Sequence, residues 1–211
     1  MTPVVIGPLA ADLSLPEGAA GLVIFAHGSG SSRFSSRNRA VAASLVQRGL
    51  ATLLLDLLTS EEESVDRITA QHRFDIPLLG ERVVSAVDWA AGRDELRALP
   101  IGLFGASTGA AAALIAAAER PSLVRAVVSR GGRPDLAGDA LTRVQAPSLL
   151  IVGSRDEPVI EMNQAAMRRM PGVTELAIVP GATHLFEEPG TIEQVMTLAG
   201  EWFQRRLAGA A

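Results

Sequence analysis

The 211-residue sequence contains no cysteine, no lysine and no tyrosine. The absence of cysteine excludes disulfide bonds, thiolate metal sites and a cysteine nucleophile. All 19 basic residues are therefore arginine, and the net charge of −4 argues against a nucleic-acid-binding surface, which would need a basic face. Apolar residues make up 48% of the chain, which is enough for a folded domain with a substantial core.

Targeting and membrane signals are also missing from the sequence. The N-terminal residues 1–5 lack the charged region, apolar stretch and cleavage site of a signal peptide. The longest apolar runs, such as 110–118, are much shorter than a membrane span. We therefore expect a soluble cytoplasmic protein with no membrane partner; the sequence leaves open whether it is a monomer or a homodimer.

Short apolar runs alternate with longer helical patterns, which predicts an α/β fold with a mostly parallel, twisted sheet. The strand-like runs are 21–26, 51–56, 101–105, 124–129, 148–152 and 175–179, and the helical patterns are 36–48, 75–91, 107–119, 159–169 and 191–207. Most of these strand-like runs are apolar on both faces, as expected when helices cover both sides of the sheet. No repeat or linker divides the chain, so we expect a single domain over residues 1–211.

Two local signals complete this interpretation. Ser60 followed by Glu63 has the spacing of a capping box, which places a helix N-terminus there. The first twenty residues should supply one or two antiparallel edge strands, with a turn at Pro16 and Gly18.

The segment Gly105-Ala106-Ser107-Thr108-Gly109 is the strongest chemical signal. A strand pattern precedes it and an alanine-rich helix pattern follows, which is the context that a nucleophile elbow requires. Small residues two positions before and after the serine let the strand and the helix approach each other. Ser107 is therefore the candidate nucleophile. The alternative is a glycine-rich turn in which Ser107 only caps the helix.

A serine hydroxyl needs an adjacent general base, and the chain has three histidines. His184 follows the last predicted strand in a loop of the kind that carries catalytic residues. His27 directly follows an early strand, where a role in fixing a loop is expected. His72 has the sequence context of an exposed loop or helix surface. We therefore predict that His184 is the base.

The acid that orients the histidine should also lie at a strand end. Asp156 follows the buried run 148–152 and is the preferred candidate; the alternatives are its neighbour Glu157 and Asp135, which follows the preceding strand. The chain order Ser107, Asp156, His184 is that of α/β-hydrolases.

With these residues identified, the chain resembles the α/β-hydrolase superfamily, and within it the dienelactone-hydrolase-like branch. The matching segments are 25–30, 105–109, 149–159 and 180–186, in the expected order. The resemblance implies a serine hydrolase that cleaves a small-molecule ester without a cofactor. Dienelactone hydrolase itself uses a cysteine nucleophile, so its substrate does not transfer to this chain.

The oxyanion formed during acyl transfer needs N–H donors. One should be the backbone N–H of Thr108, directly after the nucleophile. By resemblance to the His-Gly loop of the family, the second should be the backbone N–H of Ser29, with Gly30 as the alternative. The segment Gly28-Ser29-Gly30 also partly imitates a dinucleotide-binding fingerprint, but Arg33 occupies the third glycine position.

Further expectations concern the surroundings of the site. The segment between the strands ending at 129 and starting at 148 is too short for a sizeable cap, which predicts an open site. Arg33 or Arg130 could pair with an anionic group of a substrate, or each could hold a loop through a carboxylate such as Asp56. No spacing of residues indicates a metal site. An acyltransferase or perhydrolase would use the same residues as a hydrolase, and a non-catalytic binding protein could share the fold.

Overall fold

The computed structural model describes residues 1–208 and contains eight strands and six α-helices. The strands are β1 (Thr2–Ile6), β2 (Leu9–Ser14), β3 (Leu22–Ala26), β4 (Ala51–Leu55), β5 (Ile101–Ala106), β6 (Val124–Arg130), β7 (Ser148–Gly153) and β8 (Thr174–Val179). The helices are α1 (Ser36–Gln47), α2 (Ser60–Thr69), α3 (Ile76–Ala91), α4 (Thr108–Glu119), α5 (Glu157–Met167) and α6 (Thr191–Leu207).

All eight strands form one sheet in the order β1-β2-β4-β3-β5-β6-β7-β8. The strands from β4 across to β8 pair in parallel, and β1 and β2 are added in antiparallel pairing at one edge. The predicted mostly parallel sheet is thereby confirmed. For the first twenty residues the sequence predicts one or two antiparallel strands, and they form two, β1 and β2. Gly7 makes the turn between them with a positive φ of 57°.

Helices cover both faces of the sheet because its central strands are apolar on both sides. In β3, Val23 and Phe25 pack with α1 and α6, whereas Ile24 packs on the opposite face with α3 and α4. These two apolar layers fix the sheet between the helices. The carboxyl ends of β3, β5, β6 and β7 therefore lie side by side at one edge, where polar loops follow them.

Four predicted helix starts are wrong by one or two residues. Helices α3 and α4 begin one residue later than predicted, at Ile76 and Thr108. The capping box is formed by Thr59 and Glu62 rather than by Ser60 and Glu63, because Thr59 has an extended backbone and Ser60 is already helical. Helix α5 begins at Glu157 instead of residue 159, since a proline fits the first turn of a helix, where its missing N–H leaves no bond unmade.

The segment between β6 and β7 is short, as predicted. It contains two short 3₁₀ turns within Pro134–Arg143, separated by the non-helical Gly138. No sizeable cap domain is therefore inserted at this point. Among residues 1–208, no helix has both the length and the apolar character needed to cross a membrane.

Candidate active site

Ser107 lies at the sharp turn between β5 and α4, and its backbone is strained, with φ 52° and ψ −120°. This positive φ is unfavourable for a residue with a side chain, so the surrounding structure must hold it. A Cβ added at Gly105 would lie 2.4 Å from the Cα of Ala110, and one at Gly109 would lie 2.3 Å from the carbonyl oxygen of Ala26. Both predicted glycines are therefore required by close backbone packing around Ser107.

His184 and Asp156 lie on the loops that follow β8 and β7, and they are in direct contact. The Nδ1 atom of His184 is 2.6 Å from Oδ2 of Asp156. Asp156 is the N-cap residue of α5, but its side chain makes no capping bond and is free to bind the imidazole. The loops themselves are joined, since Arg155 N–H donates to the carbonyl of Ala182. The sheet thus orients the imidazole through two adjacent strand ends.

The loop after β6 links Ser107 with His184. The N–H of Ser107 donates to the carbonyl of Arg130 at 3.2 Å. A Cβ added at the next residue, Gly131, would lie 3.7 Å from Cε1 of His184. Within residues 1–208 the Ser107 hydroxyl makes no hydrogen bond that meets ordinary geometric limits. Contacts between a nucleophile and its base commonly tighten only when a substrate binds.

Ser29 and Thr108, the two predicted oxyanion donors, are neighbours. Their hydroxyl oxygens are 2.9 Å apart, and the Ser29 hydroxyl also donates to the carbonyl of Arg73 at 3.2 Å. A Cβ added at Gly28 would lie 3.0 Å from Cβ of Ser107. The loop after β3 therefore lies directly against Ser107, with the N-terminus of α4 beside it.

A buried ion pair between Asp66 and Arg73 supports this loop, and no pattern in the sequence indicates it. The Asp66 side chain is 1% exposed; its carboxylate accepts from the N–H groups of His72 and Arg73 and from Nε of Arg73 at 2.7 Å. Burial raises the pKa of the Asp66 carboxyl, but these donors together bring the pKa below its ordinary value. Asp66 thus fixes the segment whose carbonyl binds Ser29.

His27 is a structural residue of the same loop. Its Nε2 accepts from the N–H of Leu57 at 3.1 Å, and its Nδ1 lies 2.9 Å from the carbonyl of Gly28. Burial lowers the pKa of His27, which keeps the ring neutral, as these two contacts require. His72 is half-buried, and its Nε2 lies 3.0 Å from the side-chain nitrogen of Gln71. In residues 1–208 its ring makes no hydrogen bond to Ser107.

The two candidate substrate arginines have different surroundings. Arg33 forms an ion pair with Asp56 and lies 3.6 Å from Asp12, so it holds the loop after β3, as the alternative interpretation has it. Arg130 is 7% exposed and forms no such pair in the described part of the chain.

Asp135, the alternative acid, is bound to Arg133 rather than to His184. In residues 1–208 no cluster of three or more acidic or histidine side chains could hold a metal ion.

Comparison with known proteins gives consistent results. The model of the dienelactone hydrolase family matches residues 9–206. A solved structure of dienelactone hydrolase from Anabaena variabilis is 56% identical, with a TM-score of 0.95 and coverage of 98% of this chain and 96% of that chain. Est1E from Butyrivibrio proteoclasticus, solved with ferulic acid bound, has a TM-score of 0.80 at 19% identity, with coverage of 99% of this chain and 100% of that chain, which shows a shared fold alone.

Two curated proteins of Mycobacterium tuberculosis are also similar. Each carries a provisional phosphoribosyl transferase name and is 57% identical over 202 residues, which represent 96% of this chain and 45% of the relative. The chain therefore spans about half the length of these curated relatives.

Proposed function

Because the chain belongs to the dienelactone hydrolase family, whose members share the α/β-hydrolase fold, we propose that it is a serine hydrolase that cleaves carboxylic esters or thioesters. The observation that carries this proposal is the contact between His184 and Asp156 beside the strained turn of Ser107. Strain at such a position persists only where the surrounding structure enforces it, and it typically marks a functional residue.

In the proposed reaction, Nε2 of His184 takes the proton of the Ser107 hydroxyl as Oγ attacks the carbonyl carbon. Asp156 accepts from Nδ1–H and stabilises the imidazolium that forms. The backbone N–H groups of Ser29 and Thr108 stabilise the negative oxygen of the tetrahedral intermediate. His184 then gives its proton to the leaving oxygen or sulfur, and the acyl group stays on Ser107.

Water completes the cycle by the same groups. His184 deprotonates the water as it attacks the acyl carbon, and it returns the proton to Oγ of Ser107 when the bond breaks. No cofactor takes part in these steps. Attack by an alcohol or by hydrogen peroxide instead of water would make the same site an acyltransferase or a perhydrolase, and product analysis distinguishes these reactions.

The phosphoribosyl transferase name belongs to proteins about twice as long, so it does not define the chemistry of this part. The substrate of dienelactone hydrolase proper is not carried over either, because this chain has serine where that enzyme has cysteine. The proposal is therefore limited to ester or thioester cleavage by Ser107.

Labelling with a fluorophosphonate probe tests the proposal. We expect a covalent adduct on the wild-type protein at neutral pH and none on Ser107→Ala or His184→Ala. His72→Ala is the matched control, since it removes a histidine that has no role in the mechanism, and it should label like the wild type. Absence of an adduct that depends on Ser107 would overturn the proposal.

A further inference from the structure

Arg130 is a buried cation with few partners, located at the end of β6 directly before the loop that contacts His184. The residue is 7% exposed, and its Nη2 reaches Oδ1 of Asn38 only at 3.4 Å. Among the residues that the structure describes, its Nε has no hydrogen-bond partner. Within residues 1–208, no carboxylate lies within 4.0 Å of its guanidinium. A buried charge without a counter-charge is costly, so this arrangement needs an explanation.

The surroundings of Arg130 add positive rather than negative potential. Asn38 belongs to the first turn of α1, so the guanidinium lies at the positive end of that helix. Arg37 belongs to the same turn, and its Nε is also buried, with no hydrogen-bond partner in residues 1–208. Burial, and then the charge of Arg37, lowers the pKa of Arg130 to about 10, so the side chain is still charged at neutral pH.

From this convergence we propose that Arg130, Arg37 and the N-terminus of α1 bind an oxyanion, a carboxylate or a phosphate group. A guanidinium presents a planar set of donors that matches such groups, and a helix N-terminus favours the same charge. The long contact with Asn38 leaves most of the donors of Arg130 available for this anion.

The position of the site relates it to the reaction. The carbonyl of Arg130 accepts from Ser107, and Gly131 contacts the His184 loop. Phe186, two residues after His184, lies with its ring centre 5.8 Å from the Arg130 guanidinium carbon. An ester that carries an acidic group could thus occupy both sites. This part of the inference rests on the function proposed above, whereas binding of a free anion does not.

Glu187 is an internal competitor for the site. Its carboxylate accepts from Nη1 of Arg37 at 3.0 Å, and its side chain is 63% exposed. Such an exposed pair contributes little and can exchange with a stronger anion. An incoming anion would replace Glu187 at Arg37 and pair with the charge of Arg130 as well.

Anion binding is tested by thermal unfolding with increasing inorganic phosphate or succinate, at ionic strength held constant with sodium chloride. We expect a saturable rise in melting temperature for the wild type and no rise for Arg130→Met, which keeps a flexible unbranched apolar stem but removes the guanidinium and its charge. Arg169→Gln, which removes an exposed arginine elsewhere, should retain the rise. Glu187→Gln should tighten phosphate binding by up to about fivefold, the factor that corresponds to one surface ion pair.

Turnover distinguishes a substrate group from a free anion. The 4-nitrophenyl esters of butyric and succinic acid differ only in a methyl group against a carboxylate. If the anion belongs to the substrate, the ratio of kcat/KM for hemisuccinate over butyrate should fall at least about tenfold in Arg130→Met, as expected for a charged hydrogen bond. An unchanged ratio with phosphate binding that depends on Arg130 would support the site as one for a free anion.

The proposal is overturned if phosphate and succinate give no saturable effect on the wild type, or if Arg130→Met binds them equally well. Should Arg130→Met fail to fold, Glu187→Gln decides, because phosphate binding that is unchanged or weaker in this variant also overturns the proposal. Hydrolysis of the butyrate ester that depends on Ser107 reports the proposed function separately, so the two inferences can fail independently.

Discussion

The buried pair of Asp66 and Arg73 leads to a prediction that combines stability with activity. In Asp66→Asn, the amide oxygen can still accept from the N–H groups of His72 and Arg73. The amide nitrogen then faces Nε of Arg73; both groups are hydrogen-bond donors, so no bond can form between them. The variant therefore loses the charge-assisted bond and leaves the guanidinium of Arg73 without its counter-charge.

The size of the loss follows from burial. Asp66 is 1% exposed and Arg73 26% exposed, so the pair is largely shielded from water. Breaking a buried pair typically costs 3–5 kcal/mol, and the partial exposure of Arg73 places this case near the lower end, at about 3 kcal/mol. For a chain of this length we expect the melting temperature to fall by about 6–12 °C.

The matched control is Asp88→Asn. Asp88 also makes two 2.7 Å contacts with one guanidinium, that of Arg120, but the two side chains are 47% and 34% exposed. An exposed pair contributes less than about 1 kcal/mol. Urea unfolding followed by tryptophan fluorescence measures both variants. Equal losses in the two variants would refute the argument that burial sets the cost.

Acid should reduce the effect of Asp66→Asn. Because the folded protein lowers the pKa of Asp66, the carboxylate stabilises the fold above its unfolded pKa of about 3.9. That contribution is lost as the pH falls through this value towards the folded pKa. The difference between the wild type and the variant should therefore be complete at pH 7, begin to shrink as the pH falls below about 4, and disappear only below the folded pKa of Asp66. At pH 7 we also expect kcat to fall, by less than the roughly 10²-fold typical of a lost oxyanion donor, with KM little changed.

Three further predictions concern the site. Asp156→Asn should fold normally but lower kcat by about 10⁴, the loss seen when an amide imposes the wrong tautomer on a catalytic histidine; a decrease below tenfold in ester turnover would exclude the assigned role. Gly109→Ala should prevent correct folding, because its Cβ would lie 2.3 Å from a backbone oxygen. Gly7→Ala is the control: its Cβ would meet no atom within 4 Å, so only the positive φ should matter, and urea unfolding should show a free energy of unfolding lower by about 1–2 kcal/mol. The lowered pKa of His27 means that the unfolded chain binds a proton first, so the wild type should lose stability as the pH falls below about 6.5; His27→Gln should lose less between pH 7.5 and pH 5.5.

The sequence was most informative where local patterns determine structure. Alternating apolar runs predicted the parallel sheet, and reading the residues after each run identified Ser107, Asp156 and His184, because parallel strands end at one edge. Helix starts were less predictable: Thr59 and Ser60 can both cap a helix, and only the backbone angles distinguish them.

Contacts that depend on the folded surroundings could not be predicted in this way. The pair of Asp66 and Arg73 forms because α2 ends in a left-handed residue, Ala70, which returns the chain towards the helix. An alanine gives no sequence signal for that conformation. Similarly, the apolar run 124–129 predicted a strand directly before Arg130, but the missing counter-charge becomes visible only when α1 and the His184 loop pack beside it.

The close backbone packing of Gly109 against the loop after β3 has a consequence for how the site can diversify. Main-chain atoms meet there without intervening side chains, so ordinary substitutions cannot adjust the spacing between Ser107 and the loop that carries Ser29, the proposed oxyanion donor. Phe186, by contrast, contacts the Arg130 guanidinium through its side chain, and mutation can alter such a contact gradually. We therefore expect new substrate preferences to arise in libraries that vary Phe186 and its side-chain neighbours, and libraries directed at 105–109 to yield mainly misfolded protein.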